Sequence, residues 1–209
     1  MFRILLADLE HQIRKSGWRG GGRWLAERIA SIPYRHTEYI VFARSLRASL
    51  PAATPRQPVT LRRAEADDLD HLEGVIPPSE LRYLRRRLAH GRFCFLAFAG
   101  KDLAAYCWAT TQVEPDIESV SIPLRPGDTY FNDAYTLPAY RRQGIQTAVH
   151  LYRLAYMRDL GYRRAVLIVA KTNAASQRLV HKLGYRKVSH LTYRRILWKR
   201  IFRYQPAEF

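Results

Sequence analysis

Two stretches hold the residue types that chemistry requires. The first, AYRRQGIQT at 139–147, follows the strand-like run TYFNDAYTL and Pro138. Two arginines and a glycine stand there where a helix begins. Free backbone N–H groups and the positive end of a helix dipole converge at such a point, which suits an anion and a pyrophosphate in particular. Gly144 lets the backbone approach a ligand. Arg141 and Arg142 can add charge-assisted contacts. An ordinary solvated helix start would also produce this pattern, so the turn needs a second signal. That signal is KTNAASQRLVHKLGY at 171–185, which puts Asn173 at a strand end ahead of a short helix.

The elements around these stretches alternate regularly from residue 58. VTLRRA reads as a strand and EADDLDHLEGV as a helix with an acidic first turn. SELRYLRRRLAHG is a second helix, with Ser79 as N-cap and Gly91 as its stop. RFCFLAFAGKDLAAYCWATT is a hairpin around Gly100-Lys101, with Cys94 opposite Cys107 on one face and Phe93 and Trp108 on the other. TYFNDAYTL is a strand, and the first motif starts a helix that runs to about Leu160. RRAVLIVAK, NAASQRLVHKLGY and RKVSHLTYRRILWKRIFRY follow as strand, helix and one or two strands. The order β-α-α-β-β-β-α-β-α-β predicts an α/β chain: a mixed sheet with helices on both faces and a crevice where helix N-termini meet strand C-termini.

Residues 1–57 read as a separate α/β extension, expected to dock on a core at 58–209. RILLADLEHQIRKS has helical spacing, and GWRGGGRW should break it. RWLAERIASI is a second helix, TEYIVFARSL a strand, and the proline-rich LPAATPRQP a linker. The chain has 209 residues, a net charge of +17 and only two cysteines. That charge favours an anionic partner. Two cysteines make neither a disulfide framework nor a metal cluster, so no metal is expected, and a reducing cytoplasm is the simplest setting. The N-terminal ILLA run is too short for a membrane span.

Together the two motifs resemble those of the GNAT superfamily of acyl-CoA-dependent N-acyltransferases. Arg141-Arg142-Gln143-Gly144-Ile145 is similar to the front of that family's (Arg/Gln)-x-x-Gly-x-(Gly/Ala) loop, and NAASQRLVHKLGY to its Asn-x-x-(Ala/Ser)…Leu-Gly-(Phe/Tyr) segment. The resemblance covers roughly residues 58–200. It implies a GNAT-like twisted sheet and acetyl-CoA, or another acyl-CoA, as co-substrate. Arg142, Gln143, Gly144, Ile145, Gln146 and Thr147 would cradle the pyrophosphate, assisted by Arg141. Tyr135, Thr136 and Leu137 would line the pantetheine cleft, an N–H near Thr136 or Leu137 serving as oxyanion donor. Asn173 and Ser176 would contact the pantetheine arm. An amine would attack the thioester directly.

Two positions depart from the family pattern. Gln146 replaces the last small residue of the loop, and its side chain must point away from the phosphates or narrow the site. Val180 stands where the family often has an acidic tyrosine; Tyr185 or solvent could take that role. The base is open. Asp133 is the best single candidate, and Asn132 lies beside it with the opposite facing. Asp128 reads as a turn residue, and His150 and His181 as packing or surface residues; nothing orients His190. Tyr83, Arg86 or Arg87 could meet an anionic acceptor. The acceptor is expected to be a small primary amine. Two alternatives remain: an acyl carrier protein as donor, or a non-catalytic basic module that binds nucleic acid or membrane through segments such as YRRILWKRIFRY. The first reading expects no DNA partner and no transmembrane segment.

Overall fold

The computed structural model describes residues 2–30, 34–114, 122–196 and 199–206. Eight strands form one mixed sheet in the order β2-β3-β4-β5-β6-β1-β7-β8. They are β1 (Tyr34–Ser45), β2 (Thr60–Arg63), β3 (Phe93–Ala99), β4 (Asp102–Thr110), β5 (Asp128–Thr136), β6 (Arg164–Ala170), β7 (Arg186–Ile196) and β8 (Lys199–Pro206). The helices are α1 (Phe2–Ala30), α2 (Pro78–Ala89), α3 (Ile145–Asp159) and α4 (Ala174–Lys182), with 3-10 turns at Ala66–Leu72 and Pro138–Tyr140. No helix among the described residues is long and apolar enough to cross a membrane.

Alternation of side chains along the strands makes two apolar faces. On one, Phe42, Phe95, Phe131, Val149, Leu154 and Val180 join α3 and α4 to the sheet. On the other, Leu69, Leu84, Leu96 and Trp108 seat α2 and the first 3-10 turn. Farther along that second face, Val41, Tyr130, Val166 and Leu191 pack under Ile122.

β1 lies inside the sheet. It pairs antiparallel with β6 from Tyr39↔Ala170 to Ser45↔Arg164, and with β7 from Tyr34↔Ile196 to Ala43↔Arg186. Its residues Ile40–Ala43 are buried on both faces, as an inner strand requires. The N-terminal segment thus supplies the strand that joins β6 to the β7–β8 hairpin.

Several local expectations need correction. The break expected in GWRGGGRW is present at its first residue, Gly17 (φ 70, ψ 176), but the successive glycines Gly20–Gly22 stay helical. Beyond Gly17 the helix packs back on itself, with Gly21 against Ile13 and Leu9, where there is no room for a Cβ. The segment after β2 is a 3-10 turn, in which Asp68 is held by Arg62 and by the Glu65 N–H. Ser79 does not cap α2. Its N–H and hydroxyl donate to the buried Asp8 of α1 at 3.2 and 2.6 Å, and Pro77 is the N-cap.

In the β3–β4 hairpin a bulge at Ala97/Phe98 shifts the register by one, pairing Cys94 with Trp108 and Phe95 with Cys107. The cysteines therefore point to opposite faces, Cys94 toward α2 and Cys107 toward α3. Both are free and fully buried, and burial pushes both thiols up. Thiol labelling is expected to be slow in the native protein and fast after unfolding. Rapid native labelling of either cysteine would contradict this packing.

Candidate functional site

β5 is paired on both sides for only half its length. Its parallel register with β6 covers Asp128–Phe131 against Arg164–Leu167. At that end Asp128 is pinned by Arg164 and accepts the Arg125 N–H, a turn role as expected. Beyond Phe131 only β4 accompanies the strand. There the register jumps from Trp108↔Asn132 to Tyr106↔Tyr135, so Asp133 and Ala134 face one residue, Cys107. Asp133 takes φ 40, a left-handed value unusual without glycine. This bulge bends β5 away from β6 and opens a wedge between them. The Leu137 N–H donates to the Ala104 carbonyl at 2.9 Å, so Leu137 cannot offer it to a ligand. Alternation then turns the Thr136 N–H away from β4, toward the wedge.

α3 begins at the mouth of this wedge. The first helical bond of α3 is from the Ala148 N–H to the Gly144 carbonyl, so the Ile145, Gln146 and Thr147 N–H groups precede it. Arg142 (φ 63) and Gly144 (φ 78) both adopt left-handed conformations that curl the loop onto the helix. Gly144 is favoured by that φ, and a Cβ on it would face Pro55, 3.4 Å from its Cα. The linker expected between extension and core therefore lies on the loop. The Arg56 N–H donates to the Gln143 carbonyl at 2.9 Å, and the Gln57 side chain donates to that of Gln143 at 2.6 Å.

The other loop residues divide by role. Ile145 is fully buried and offers only backbone. Gln146 points toward β5, where its Oε1 accepts from Thr136 Oγ1 at 2.7 Å, while its Nε2 is buried without a partner among the described residues. Arg141 Nε donates to the Thr136 carbonyl at 3.2 Å and its guanidinium lies 5.8 Å from the Tyr135 ring centre; Arg142 is exposed. At the second motif Asn173 caps α4, its side chain accepting the Ser176 N–H at 3.0 Å. Val180 is buried core, and no acid can act from there.

Two carboxylates and a tyrosine face each other on the α2 side of β5. A cleft of about 500 Å³ is lined by Glu80, Tyr83, Tyr106, Asp133 and Tyr135. Asp133 has 47% of its side chain exposed, and its Oδ2 accepts from Arg87 at 2.6 Å. Asn132 Oδ1 accepts from the same guanidinium at 2.7 Å, so Asn132 and Asp133 do not face opposite ways: the bulge turns both toward Arg87. Arg87 itself is fully buried against Trp108 and is committed within the fold, not available to an acceptor. Glu80 reaches solvent on one side and accepts from the Tyr106 hydroxyl at 3.3 Å. Partial burial, with the Asp133 charge nearby, pushes its carboxyl above the ordinary range.

On the α3 side, buried Arg153 stacks 3.9 Å over Phe131 and donates to the Trp108 carbonyl at 2.6 Å, bracing the strand beside the bulge. His150 lies between Arg153 and the Tyr185 hydroxyl, and burial with the Arg153 charge holds it neutral, well below its usual range. Tyr185 is therefore a core residue, its hydroxyl pushed up by burial, and does not reach the cleft. His181 packs edge-on against Phe42, and His190 is exposed opposite Ile40 on β7. Glu80 is the residue that sequence reasoning overlooked. Its place in the first turn of α2 reads as a dipole complement, and only the fold brings it to Tyr106.

Known structures share this fold at low identity. A Drosophila protein matches with a TM-score of 0.59 and 14% identity over 85% of this chain. A GCN5-related N-acetyltransferase from Sphaerobacter thermophilus matches with a TM-score of 0.58 and 16% identity, also over 85%. The chain spans 57% and 56% of their respective lengths. A functionally unknown conserved protein from Staphylococcus epidermidis matches with a TM-score of 0.51 and 11% identity, over 82% of this chain and 65% of that one. No curated protein matches the sequence. The pattern of the acetyltransferase (GNAT) family matches residues 60–185, from β2 through the wedge and the α3 loop to Tyr185. That span is more than half the sequence and contains both motifs, so the chain belongs to the GNAT acetyltransferase family.

Proposed function

We propose that the protein moves an acetyl or other short acyl group from acyl-CoA to a primary amine, by direct attack within a ternary complex. The observation that carries this reading is the wedge between β5 and β6 with the unbonded N–H groups of α3 at its mouth. Pyrophosphate would sit on the Ile145, Gln146 and Thr147 amides, with Arg142 adding charge. The pantetheine arm would enter the wedge past Thr136. Gln146 fits such a ligand, because its orphaned Nε2 gains an acceptor and its Oε1 stays on Thr136. Asn173 and Ser176, at the start of α4, would meet the arm from the other wall.

The chemistry then follows from the cleft. The acceptor arrives as an ammonium and is attracted to Asp133, whose charge Arg87 fixes in place. Of the two carboxylates that could serve as base, Glu80 is better matched to neutral pH, because its proton affinity is raised. It takes one proton. The freed lone pair forms the C–N bond, and the Thr136 N–H stabilises the oxyanion. Collapse breaks the C–S bond, and the second nitrogen proton leaves to solvent or to the departing CoA sulfur. The test is release of CoA thiol from acetyl-CoA in a panel of primary amines. Acceptor-dependent release with an acetylated amine product supports the reading. Absence of product across the panel, from protein that binds CoA, would count against catalysis.

A further inference from the structure

A second cleft, of about 420 Å³, opens on the same face of the sheet and shares Asp133 with the first. Its far wall is a row of arginines. Arg35 on β1 pairs directly with Arg195 on β7, and Arg195 with Arg200 on β8. All three line the cleft, with Tyr193 next to them and Asn132 and Asp133 at the opposite end. Like charges directly opposite across strands weaken a sheet. Arg195 and Arg200 have further contacts within the chain. What matters is their charge and their shared face.

We infer that this row binds the anionic group of the acceptor, and that the acceptor is a small amine carrying a carboxylate or a phosphate. The inference rests on the acyl-transfer reading for the amine end, but the anion site stands on its own geometry. Guanidinium forks suit both anions, which they can bind through two parallel hydrogen bonds. The cleft volume lies within the range of small-molecule sites. Its position gives the arrangement a direction. An anion on Arg35, Arg195 and Arg200 leaves the other end of a short molecule beside Asp133, where an ammonium meets its counter-charge. The N-terminal strand contributes Arg35, so β1 takes part in recognition as well as in folding.

The test is calorimetry on the full chain with three probes in turn, without thioester: 4-aminobutyrate, phosphoethanolamine and ethanolamine. Binding is expected for at least one anionic probe and not for ethanolamine, and the stronger of the two tells carboxylate from phosphate. Arg35→Gln and Arg200→Gln, at exposed positions, should each weaken that binding roughly tenfold to a hundredfold, the weight of one charge-assisted pair. Arg194→Gln removes the same charge from the other face of β7 and should leave binding unchanged. Ethanolamine binding as well as the anions, no binding of either anion, or equal losses in Arg35→Gln and Arg194→Gln, would overturn the anion site. A parallel CoA-release assay reports on acyl transfer separately, so a failure of either reading shows which one failed.

Discussion

A chain lacking residues 1–57 is expected not to fold. The cut removes β1 from between β6 and β7, leaving two interior strands with open edges. It also removes Ile40, Val41 and Phe42, which are 4%, 0% and 0% exposed. Burying side chains of this size contributes about 1.5–3 kcal/mol each. Three of them approach the net stability of a typical domain, about 5–15 kcal/mol. The milder change Phe42→Ala should cost about 3–5 kcal/mol. Urea unfolding followed by circular dichroism checks both. A truncated chain with a cooperative transition at the full-length midpoint would show that the sheet closes without β1.

Glu80→Gln is expected to lower kcat by about a hundredfold or more, the usual weight of a general base. The sign of its pH dependence follows from the raised carboxyl. The base acts only when ionised, so wild-type kcat/KM should fall as pH drops through the Glu80 pKa, above the ordinary carboxylate value. That acid limb should vanish in Glu80→Gln, while the limb at higher pH, set by the amine, remains. Asp133→Asn should keep the acid limb and raise KM for the ammonium. Loss of the limb in Asp133→Asn and its survival in Glu80→Gln would reverse the two roles. Activity assays from pH 5 to 9 decide.

Much of this fold is legible in the sequence because punctuation is local. Gly100 and Gly144 mark turns, and the runs FCFLAFA and AVLIVA are strands wherever they end up. TEYIVFARSL reads as a strand with apolar residues on both faces, which should be covered. Its place between β6 and β7 is not legible, because pairing partners are a long-range choice that no local pattern records. Bulges are hidden for a related reason. One extra residue at Asp133 turns two neighbours toward the same arginine, and one at Ala97/Phe98 sends two cysteines to opposite faces. Arg87 shows a third limit. In LRYLRRRLAHG it looks like one more solvated charge, and only the Asn132–Asp133 bulge gives it a reason to be buried.

The central claim is that the α3 loop holds the pyrophosphate of CoA, and thermal melting with and without CoA tests it most directly. At a hundredfold excess over the dissociation constant, binding adds about 2.7 kcal/mol, which raises the melting temperature by roughly 5–10 °C in a chain of this size. Gly144→Asp adds a negative charge to the loop, but its side chain would turn toward Pro55 and strain a left-handed backbone, so its unliganded stability should fall too. Thr147→Asp separates the two effects. A carboxylate in the first turn of α3 favours the helix dipole, so the unliganded protein should melt no lower than wild type, yet the charge repels the pyrophosphate. Wild type should show a CoA-dependent rise, and both variants should lose it. A full rise in Thr147→Asp, or none in wild type, would contradict it.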